Sequence, residues 1–246
     1  MTLLAEPSLR PTPHQLHGLA CTLLEGVGAD HNGQDKPWTV WPLRAAGPTT
    51  SDPAAPLLSA PSVPLVLRLT WLPDDQPPPV SGLLPDQVRL GSRFATVASS
   101  NTIQTTFGQL ADVPPARRAE MVFHRPTYFS RSGRNLPLPD PVLVVASLAR
   151  RWNRFCPQEL AIPDADVGVL RRTVMLADVA GHSERVDRDP TAIRSGFVGE
   201  ATLTLPRSCP TSAARWFAAL CSAAEFCGVG AGTTSGFGVV TARVGS

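Results

Sequence analysis

The stretch Gly228–Gly238 reads GVGAGTTSGFG and contains five glycines, two threonines and one serine but no charged residue. It follows a helical pattern over Arg215–Phe226 and precedes the apolar run Val239–Ala242. Glycine lacks a Cβ, so its backbone can reach positive φ and can approach another backbone closely. Successive N–H groups in such a loop form a concavity that suits phosphate oxygens. We therefore expect this loop to lie against a phosphate-bearing ligand, unless it is only a turn before the last strand.

Two familiar phosphate-binding loops do not fit the stretch. A Walker-type loop carries Lys and then Ser or Thr after its last glycine, and no Lys is found here. A dinucleotide-binding fingerprint follows a strand and opens a helix, whereas this loop follows a helix and precedes a strand. The order favours docking of an RNA backbone over binding of a nucleotide.

Apolar residues recur at helical spacing over Pro13–Glu25, Pro141–Phe155 and Thr211–Phe226. Strands are predicted at residues 1–9, 38–43, 63–72, 89–98, 120–123, 167–179, 196–205 and 236–244, with a short helix at 82–88. Strands interrupted by one or two helices in each half predict an α+β fold of two tandem ferredoxin-like (RRM-like) βαββαβ units. We place the first unit in residues 1–115 and the second, with the C-terminal glycine-rich loop, in residues 116–246.

Basic residues are concentrated in one part of the chain, although the net charge of the whole is only +2. Residues 1–114 hold six basic and nine acidic residues, whereas residues 115–154 hold eight arginines against Glu120 and Asp140. A local basic cluster of this kind is the expected footprint of a phosphate-rich partner. The alternative is a solvated basic face that has no partner.

The cysteines and the N-terminal residues argue against a zinc-binding, disulfide-rich, secreted or membrane protein. The five cysteines are widely spaced without a CxxC pair, so neither a zinc site nor a disulfide framework is indicated. No basic segment followed by an apolar one opens the chain, and no apolar run approaches the roughly 18 residues of a membrane span. We expect a cytoplasmic protein without a membrane partner.

One polar turn, His31–Lys36, follows the first predicted helix and combines an imidazole with the only lysine of the chain. A histidine can move a proton from a 2′-hydroxyl or to a leaving 5′-oxygen. An ammonium can stabilise the charge on a pentacoordinate phosphorus. The pair can therefore cleave RNA without a metal, and the competing interpretation is an ordinary solvated turn.

Several stretches resemble the CRISPR-associated RAMP proteins, and within them the endoribonuclease that cuts CRISPR repeat transcripts, the sixth Cas protein. The glycine-rich loop resembles the superfamily signature, and the His–Lys turn resembles the segment that separates the nuclease from noncatalytic relatives. The further matches, in chain order, are Leu16–Leu19, Pro37–Leu43, Phe123–Phe129, Leu136–Pro139 and Leu148–Asn153. They extend over both predicted units.

The resemblance implies catalytic roles position by position. His31 falls on the family's catalytic histidine, and Lys36 falls on a lysine found in some members. The tyrosine that other members carry in the first helix is absent, because Ala20 or Cys21 stands there. His17, one turn earlier on the same helix, is the candidate replacement, and its alternative is a position on the helix surface.

RNA-binding residues are predicted in three places. Arg125, Arg131 and Arg134 lie in or beside a loop that contains a Ser–Gly turn, and Arg151 and Arg154 share a helix face at i, i+3 spacing. In the glycine-rich loop the predicted contacts are Gly230, Gly232, Thr233, Thr234, Ser235 and Gly236.

The resemblance implies a metal-independent endoribonuclease that cleaves precursor CRISPR RNA within repeats and needs no cofactor. Its products would end in a 2′,3′-cyclic phosphate and a 5′-hydroxyl. The expected partners are CRISPR repeat RNA, as precursor and as mature guide, and other Cas proteins of an effector complex. A noncatalytic RAMP subunit that holds guide RNA is the alternative. A general RRM-like single-strand binder fits less well, because aromatic residues make up only 6% of the chain.

Overall fold

The computed structural model describes residues 1–6, 8–25, 36–45, 62–81, 84–131, 133–186 and 194–245. His31 and the proline-rich stretch 47–61 lie outside these residues. The described part of the chain contains no helix that is both long and apolar enough to span a membrane.

The described residues among the first hundred form seven strands and one α-helix. They are β1 (Thr2–Ala5), α1 (Pro13–Leu24), β2 (Trp38–Val40), β3 (Arg44–Ala45), β4 (Val63–Val66), β5 (Leu69–Trp71), β6 (Gln87–Leu90) and β7 (Arg93–Ser99). Five of the strands form an antiparallel sheet in the order β3-β4-β1-β7-β6, while β2 pairs with β5. The inward-facing residues of the larger sheet and the apolar stripe of α1 form one buried core.

Helix α1 begins where the sequence predicts it. Thr12 caps the helix by accepting a hydrogen bond from the Gln15 N–H, and the Gln15 side chain accepts one from the Thr12 N–H in return. Such a capping box, followed by a proline in the first helical turn, is a strong N-terminal signal. The helix ends at Glu25, whose N–H still donates to the Cys21 carbonyl.

The strand predicted at residues 63–72 is divided in two, and the strand predicted at residues 38–43 is shortened to β2. Strand β2 does not continue through Pro42, because proline has no N–H to donate to the hydrogen-bond ladder. The second interruption lies near Leu67, whose N–H donates to the Met1 carbonyl. Before this interruption β4 pairs with β1 and β3, and after it β5 pairs with β2. The helix predicted at residues 82–88 is wrong for the described residues of that stretch, which lead into strand β6.

The elements that follow are α2 (Phe107–Ala111), β8 (Arg118–Thr127), β9 (Phe129–Arg131), β10 (Arg134–Leu136), α3 (Pro141–Phe155), α4 (Asp164–Thr173), β11 (Met175–Val186), β12 (Arg194–Thr204), α5 (Thr211–Cys227) and β13 (Val240–Gly245). Four strands form an antiparallel sheet in the order β11-β12-β8-β13. Taken in chain order, the last strand lies beside the first and the third between the first and second, which is the ferredoxin-like βαββαβ arrangement. Strands β9 and β10 form a separate hairpin.

One predicted strand in this part of the chain is wrong. Residues 167–173 belong to helix α4, and only then does strand β11 begin. Asp164 and Asp166 occupy the first turn of α4, and Arg171 and Arg172 occupy its last turn. These charges complement the helix dipole at both ends, so the segment is helical despite its valines.

The two halves of the fold are joined through side chains of the β2–β5 ribbon and of the residues next to it. The hydroxyls of Thr39 and Thr70 donate to the Phe226 carbonyl near the end of α5, over 3.0 and 2.8 Å. The Arg68 guanidinium lies over the Trp41 ring at 4.4 Å and forms an ion pair with Glu225 at 3.3 Å. This junction brings the end of α5, and hence the glycine-rich loop, close to the first sheet.

Candidate RNA-processing site

The glycine-rich loop connects α5 to β13 and packs mainly against the protein itself. The N–H groups of residues 228–231, 235, 237 and 238 donate to acceptors within the chain, including the carbonyls of Tyr128 and Pro126 and the hydroxyl of Ser147. Gly230 has a φ of 79°, and a Cβ there would collide with the Tyr128 carbonyl oxygen. At Gly230, therefore, the missing Cβ lets the loop backbone approach the backbone of Tyr128.

The predicted RNA-binding residues of the glycine-rich loop differ in their exposure. Thr233 and Ser235 are each only 4% exposed, so their hydroxyls are enclosed by protein and do not face a ligand. Gly236 is also buried, beside Leu16 of α1 and Pro42. Gly230, Gly232 and Thr234 are half-buried, and they are the predicted loop residues that a phosphate backbone can still reach.

His17 projects from α1 to the glycine-rich loop and is not a residue of the open helix surface. Its Nδ1 lies 3.0 Å from the Thr234 carbonyl oxygen. A carbonyl oxygen only accepts, so Nδ1 must carry the proton, and in the neutral ring Nε2 is then the basic nitrogen. The ring also packs on Trp38, with 5.3 Å between centroids. His17 thus has a fixed tautomer at the contact between the helix and the loop.

Lys36 is buried beside a carboxylate that sequence reasoning missed. Its ammonium lies 2.8 Å from Glu25 Oε1, and the two side chains are 9% and 6% exposed. The Trp38 indole N–H donates to the same Glu25 oxygen over 3.1 Å. In this arrangement the charge of Lys36 is balanced by Glu25 rather than presented to solvent.

Cys21 is one of the two residues, with Ala20, that stand where the resemblance expects a tyrosine. Burial, together with the neighbouring Glu25 carboxylate, raises the pKa of the Cys21 thiol to about 11. A raised pKa keeps the thiol protonated throughout the neutral range, so Cys21 cannot act as a thiolate base. Within the described residues no group of three or more His, Cys, Asp and Glu could hold a metal ion.

The predicted arginines fall into two groups. Arg131 and Arg134 are exposed and face each other directly across the β9–β10 hairpin. Like charges in opposed positions destabilise a hairpin unless an anion lies between or beside them. Arg125 is half-buried, and its Nε is a buried atom that has no hydrogen-bond partner among the described residues.

On helix α3 the sequence prediction grouped two arginines that differ in exposure in the structure. Arg154 is exposed in the last turn, as expected for a residue that meets a ligand. Arg151 is only 6% exposed, so little of its side chain is accessible to RNA in this structure. Its guanidinium points into the junction between the sheets, with Nη2 3.4 Å from the carbonyl oxygens of Lys36 and Trp38.

The open face of the second sheet does not continue the basic surface. A cavity there is lined by Arg118 and Arg243 but also by Glu120, Asp178 and Glu200. Acidic side chains repel phosphates, so this face is a poor RNA platform. The basic residues that remain available lie on the β9–β10 hairpin and at the end of α3.

Comparison with known proteins agrees with this geometry. A family model described as CRISPR-associated endoribonuclease Cas6 matches residues 121–240. Over these residues the chain resembles the Cas6 family. The Cas6 endoribonuclease of Mycobacterium tuberculosis (strains CDC 1551 / Oshkosh and H37Rv) is 28% identical to it over 247 residues, an alignment that covers 93% of this chain and 70% of the relative.

Solved Cas6 structures share the whole architecture. A product complex of a Thermus thermophilus Cas6 superposes with a TM-score of 0.76 at 27% identity, and covers 98% of both chains. A product complex and a substrate-mimic complex of another Cas6 each superpose with a TM-score of 0.75 at 25% identity, and cover 98% of this chain and 97% of the other. The predicted fold class and the predicted family are thereby confirmed.

Gly236→Val is expected to destabilise this chain, because Gly236 has a φ of 83° and is buried. Left-handed backbone costs a β-branched residue roughly 1–3 kcal/mol. In a chain of this size that lowers the melting temperature by roughly 2–12 °C.

Gly18→Ala is the matched control, because a Cβ at Gly18 in α1 meets nothing within 4 Å. The control should melt at or slightly above the wild-type temperature, since alanine favours helix over glycine. A Gly236→Val protein that keeps its melting temperature but loses RNA affinity would instead show that this glycine contacts RNA.

Proposed function

We propose that this chain is a metal-independent endoribonuclease that cleaves precursor CRISPR RNA within its repeats. The observation that carries the proposal is the convergence of three sequence features at one junction. His17 touches the glycine-rich loop at Thr234, and its ring packs on Trp38, which shares Glu25 with Lys36. The polar turn that carries His31 is thus connected at Glu25 and Lys36 to the same junction.

The proposed reaction is an internal transesterification. A base removes the proton of the 2′-hydroxyl, the 2′-oxygen bonds to phosphorus, and the bond from phosphorus to the 5′-oxygen breaks. An acid then supplies a proton to the 5′-oxygen. The products are a 2′,3′-cyclic phosphate and a 5′-hydroxyl, and the reaction consumes no cofactor.

We assign one proton transfer to His31 and the complementary transfer to His17. An imidazole titrates close to neutral pH, so it can serve as either base or acid. His17 suits the role because its Nδ1 lies 3.0 Å from the Thr234 carbonyl oxygen, a contact that fixes the orientation of the ring at the glycine-rich loop. Lys36 is proposed to stabilise the charge that develops on the phosphorus, and in this structure its ammonium lies 2.8 Å from Glu25 Oε1.

The RNA is proposed to lie across the β9–β10 hairpin, the exposed end of α3 and the accessible part of the glycine-rich loop. Similarity to Cas6 proteins supports this substrate, since the similar Cas6 structures are product and substrate-mimic complexes. A test mixes the purified protein with a transcript of the CRISPR repeat that neighbours its gene. Cleavage at one position within the repeat, and none in a shuffled sequence, is expected. Binding without cleavage would favour the noncatalytic RAMP subunit instead.

Changing Arg131 and Arg134 to alanine together should weaken RNA binding and flatten its dependence on salt. Each phosphate contact that is lost removes about 0.9 from the slope of log K against log salt on a duplex and about 0.7 on a single strand. The double variant should therefore lose between one and two units of slope.

The control is Arg171→Ala with Arg172→Ala, which removes the same charge from the exposed last turn of α4. This control should bind RNA with the wild-type slope. If the hairpin variant also keeps the wild-type slope, Arg131 and Arg134 do not contact phosphate.

A further inference from the structure

The five-stranded sheet of the first half has a core face and an open face. Its core face carries the buried side chains Leu3, Leu65, Val88, Leu90 and Ala95. Because successive side chains of a strand point to opposite faces, Phe94 of β7 belongs to the open face, and so does Arg89, which lies opposite it on β6. Phe94 is 62% exposed, and it is the only exposed phenylalanine, tryptophan or tyrosine among the residues that the structure describes.

The charge of this sheet differs from that of the chain around it. Residues 1–114 hold six basic and nine acidic residues, yet the five strands contain three arginines and no aspartate or glutamate. Glu6, which follows β1, is paired with Arg93 at 2.9 Å. Arg44 and Arg89 therefore give the open face a positive potential, which attracts phosphates.

The open face extends from Phe94 to the junction between the two halves of the fold. Three strand spacings across the sheet and about four residues along it put Phe94 roughly 20 Å from Arg44. The strand register lines the space between them with the uncharged residues Thr2, Leu4, Pro64, Val66 and Thr96. At the far end the Arg44 guanidinium lies 5.0 Å from the centroid of the Trp41 ring, which packs on His124 of β8. An RNA strand at the junction can thus continue onto this face.

We propose that the open face of the first sheet binds an unpaired segment of the RNA, with one base stacked on Phe94 and Arg89 on a neighbouring phosphate. The proposal rests on the proposed function for the identity of the RNA. Every base has a π-face, so an exposed aromatic ring on a sheet strand binds unpaired bases with little regard to sequence. The Arg89 Nε donates to the Gly91 carbonyl over 2.6 Å, which orients the guanidinium beside the ring.

The composition of the open face favours RNA over a protein partner. A protein-binding surface is marked by a contiguous apolar patch, whereas Leu4 and Pro64 are half-buried and Val66 is only 37% exposed. Most of the apolar surface exposed here belongs to one ring. A single ring between two arginines matches a stacked base joined to phosphates.

The test measures equilibrium binding of a single-stranded oligouridine to the full chain and to Phe94→Ala, Phe94→Leu and Phe94→Tyr. Alanine and leucine both remove the ring, so each should weaken binding by roughly 5- to 150-fold, the worth of one stacked base. Tyrosine keeps a ring and should bind like the wild type. Met175→Ala is the matched control, because it shortens a 50% exposed apolar side chain on β11 of the other sheet. All four variants should melt close to the wild type, since exposed substitutions of this kind change stability little.

Wild-type affinity in Phe94→Ala or in Phe94→Leu, or no binding of oligouridine by the wild type, would overturn the proposal. Unchanged RNA affinity in Phe94→Ala, together with loss of a self-association that light scattering detects in the wild type, would assign the face to a protein contact instead. Cleavage of repeat RNA is measured separately. If the wild type binds oligouridine through Phe94 but does not cut the repeat, the proposed function fails and the open face stands. If it cuts the repeat and the Phe94 variants bind normally, the proposed function stands and the open face fails.

Discussion

Replacing His31 by alanine is expected to reduce the single-turnover cleavage rate by roughly 10² or more, with RNA affinity close to wild type. General acid–base catalysis by one positioned side chain contributes this order of magnitude. The imidazole exchanges a proton in the transition state and makes no large contribution to ground-state binding, so the loss should fall on the rate.

His182→Ala is the matched control for this variant. His182 lies on β11, its side chain is 66% exposed, and it pairs with Glu184. The control should cleave at the wild-type rate. Near-normal turnover by the His31→Ala protein would remove His31 from the catalytic site and leave His17 as the remaining histidine candidate.

A single 2′-deoxy substitution at the scissile nucleotide is expected to abolish cleavage while it leaves binding intact. The 2′-oxygen is the proposed nucleophile, so its removal leaves no atom that can attack the phosphorus. The measurement is cleavage and affinity with a synthetic repeat that carries this one change.

The same substitution one nucleotide away is the control for altered sugar conformation, and that RNA should be cut normally. Cleavage of the RNA that lacks the scissile 2′-hydroxyl would show that water attacks the phosphate. The assignment of proton transfers to His31 and His17 would then need to be replaced.

The second half of the fold was largely readable from the sequence. Helices α3 and α5 are long and carry a clear apolar stripe, and strands β8, β12 and β13 are apolar runs beside them. Helix α4 was missed because its valines suggested a strand. The signal that could have identified it is the charge pattern, with Asp164 and Asp166 at one end and Arg171 and Arg172 at the other.

The first half was less predictable because its strands change partners. Around Leu67 the chain passes from one sheet to another. Two hydrogen bonds fix this change of partner: the Leu67 N–H donates to the Met1 carbonyl, and the Trp41 N–H donates to the Arg68 carbonyl. Such pairings are tertiary contacts between distant parts of the chain. Local hydrophobic pattern cannot indicate where a strand stops pairing with one neighbour and begins with another.

The candidate site differs from its sequence prediction mainly in which side chains are buried. Arg151 and Arg154 share a helix face, yet Arg151 lies three residues after Leu148 and seven after Val144, at the spacing of the buried stripe. That spacing was the available signal that Arg151 faces inward. Glu25 carried no comparable signal, because nothing in the sequence shows that a carboxylate at the end of a helix meets a lysine eleven positions later. The burial of Thr233 and Ser235 was likewise not evident, since a glycine-rich loop looks exposed in sequence.

The most direct test of the account is end-group analysis of repeat RNA cleaved in excess EDTA. The account predicts cleavage at an undiminished rate, with a 2′,3′-cyclic phosphate on the upstream fragment and a 5′-hydroxyl on the downstream fragment. Loss of cleavage in EDTA that Mg²⁺ or Mn²⁺ restores, or products with a 5′-phosphate and a 3′-hydroxyl, would contradict it.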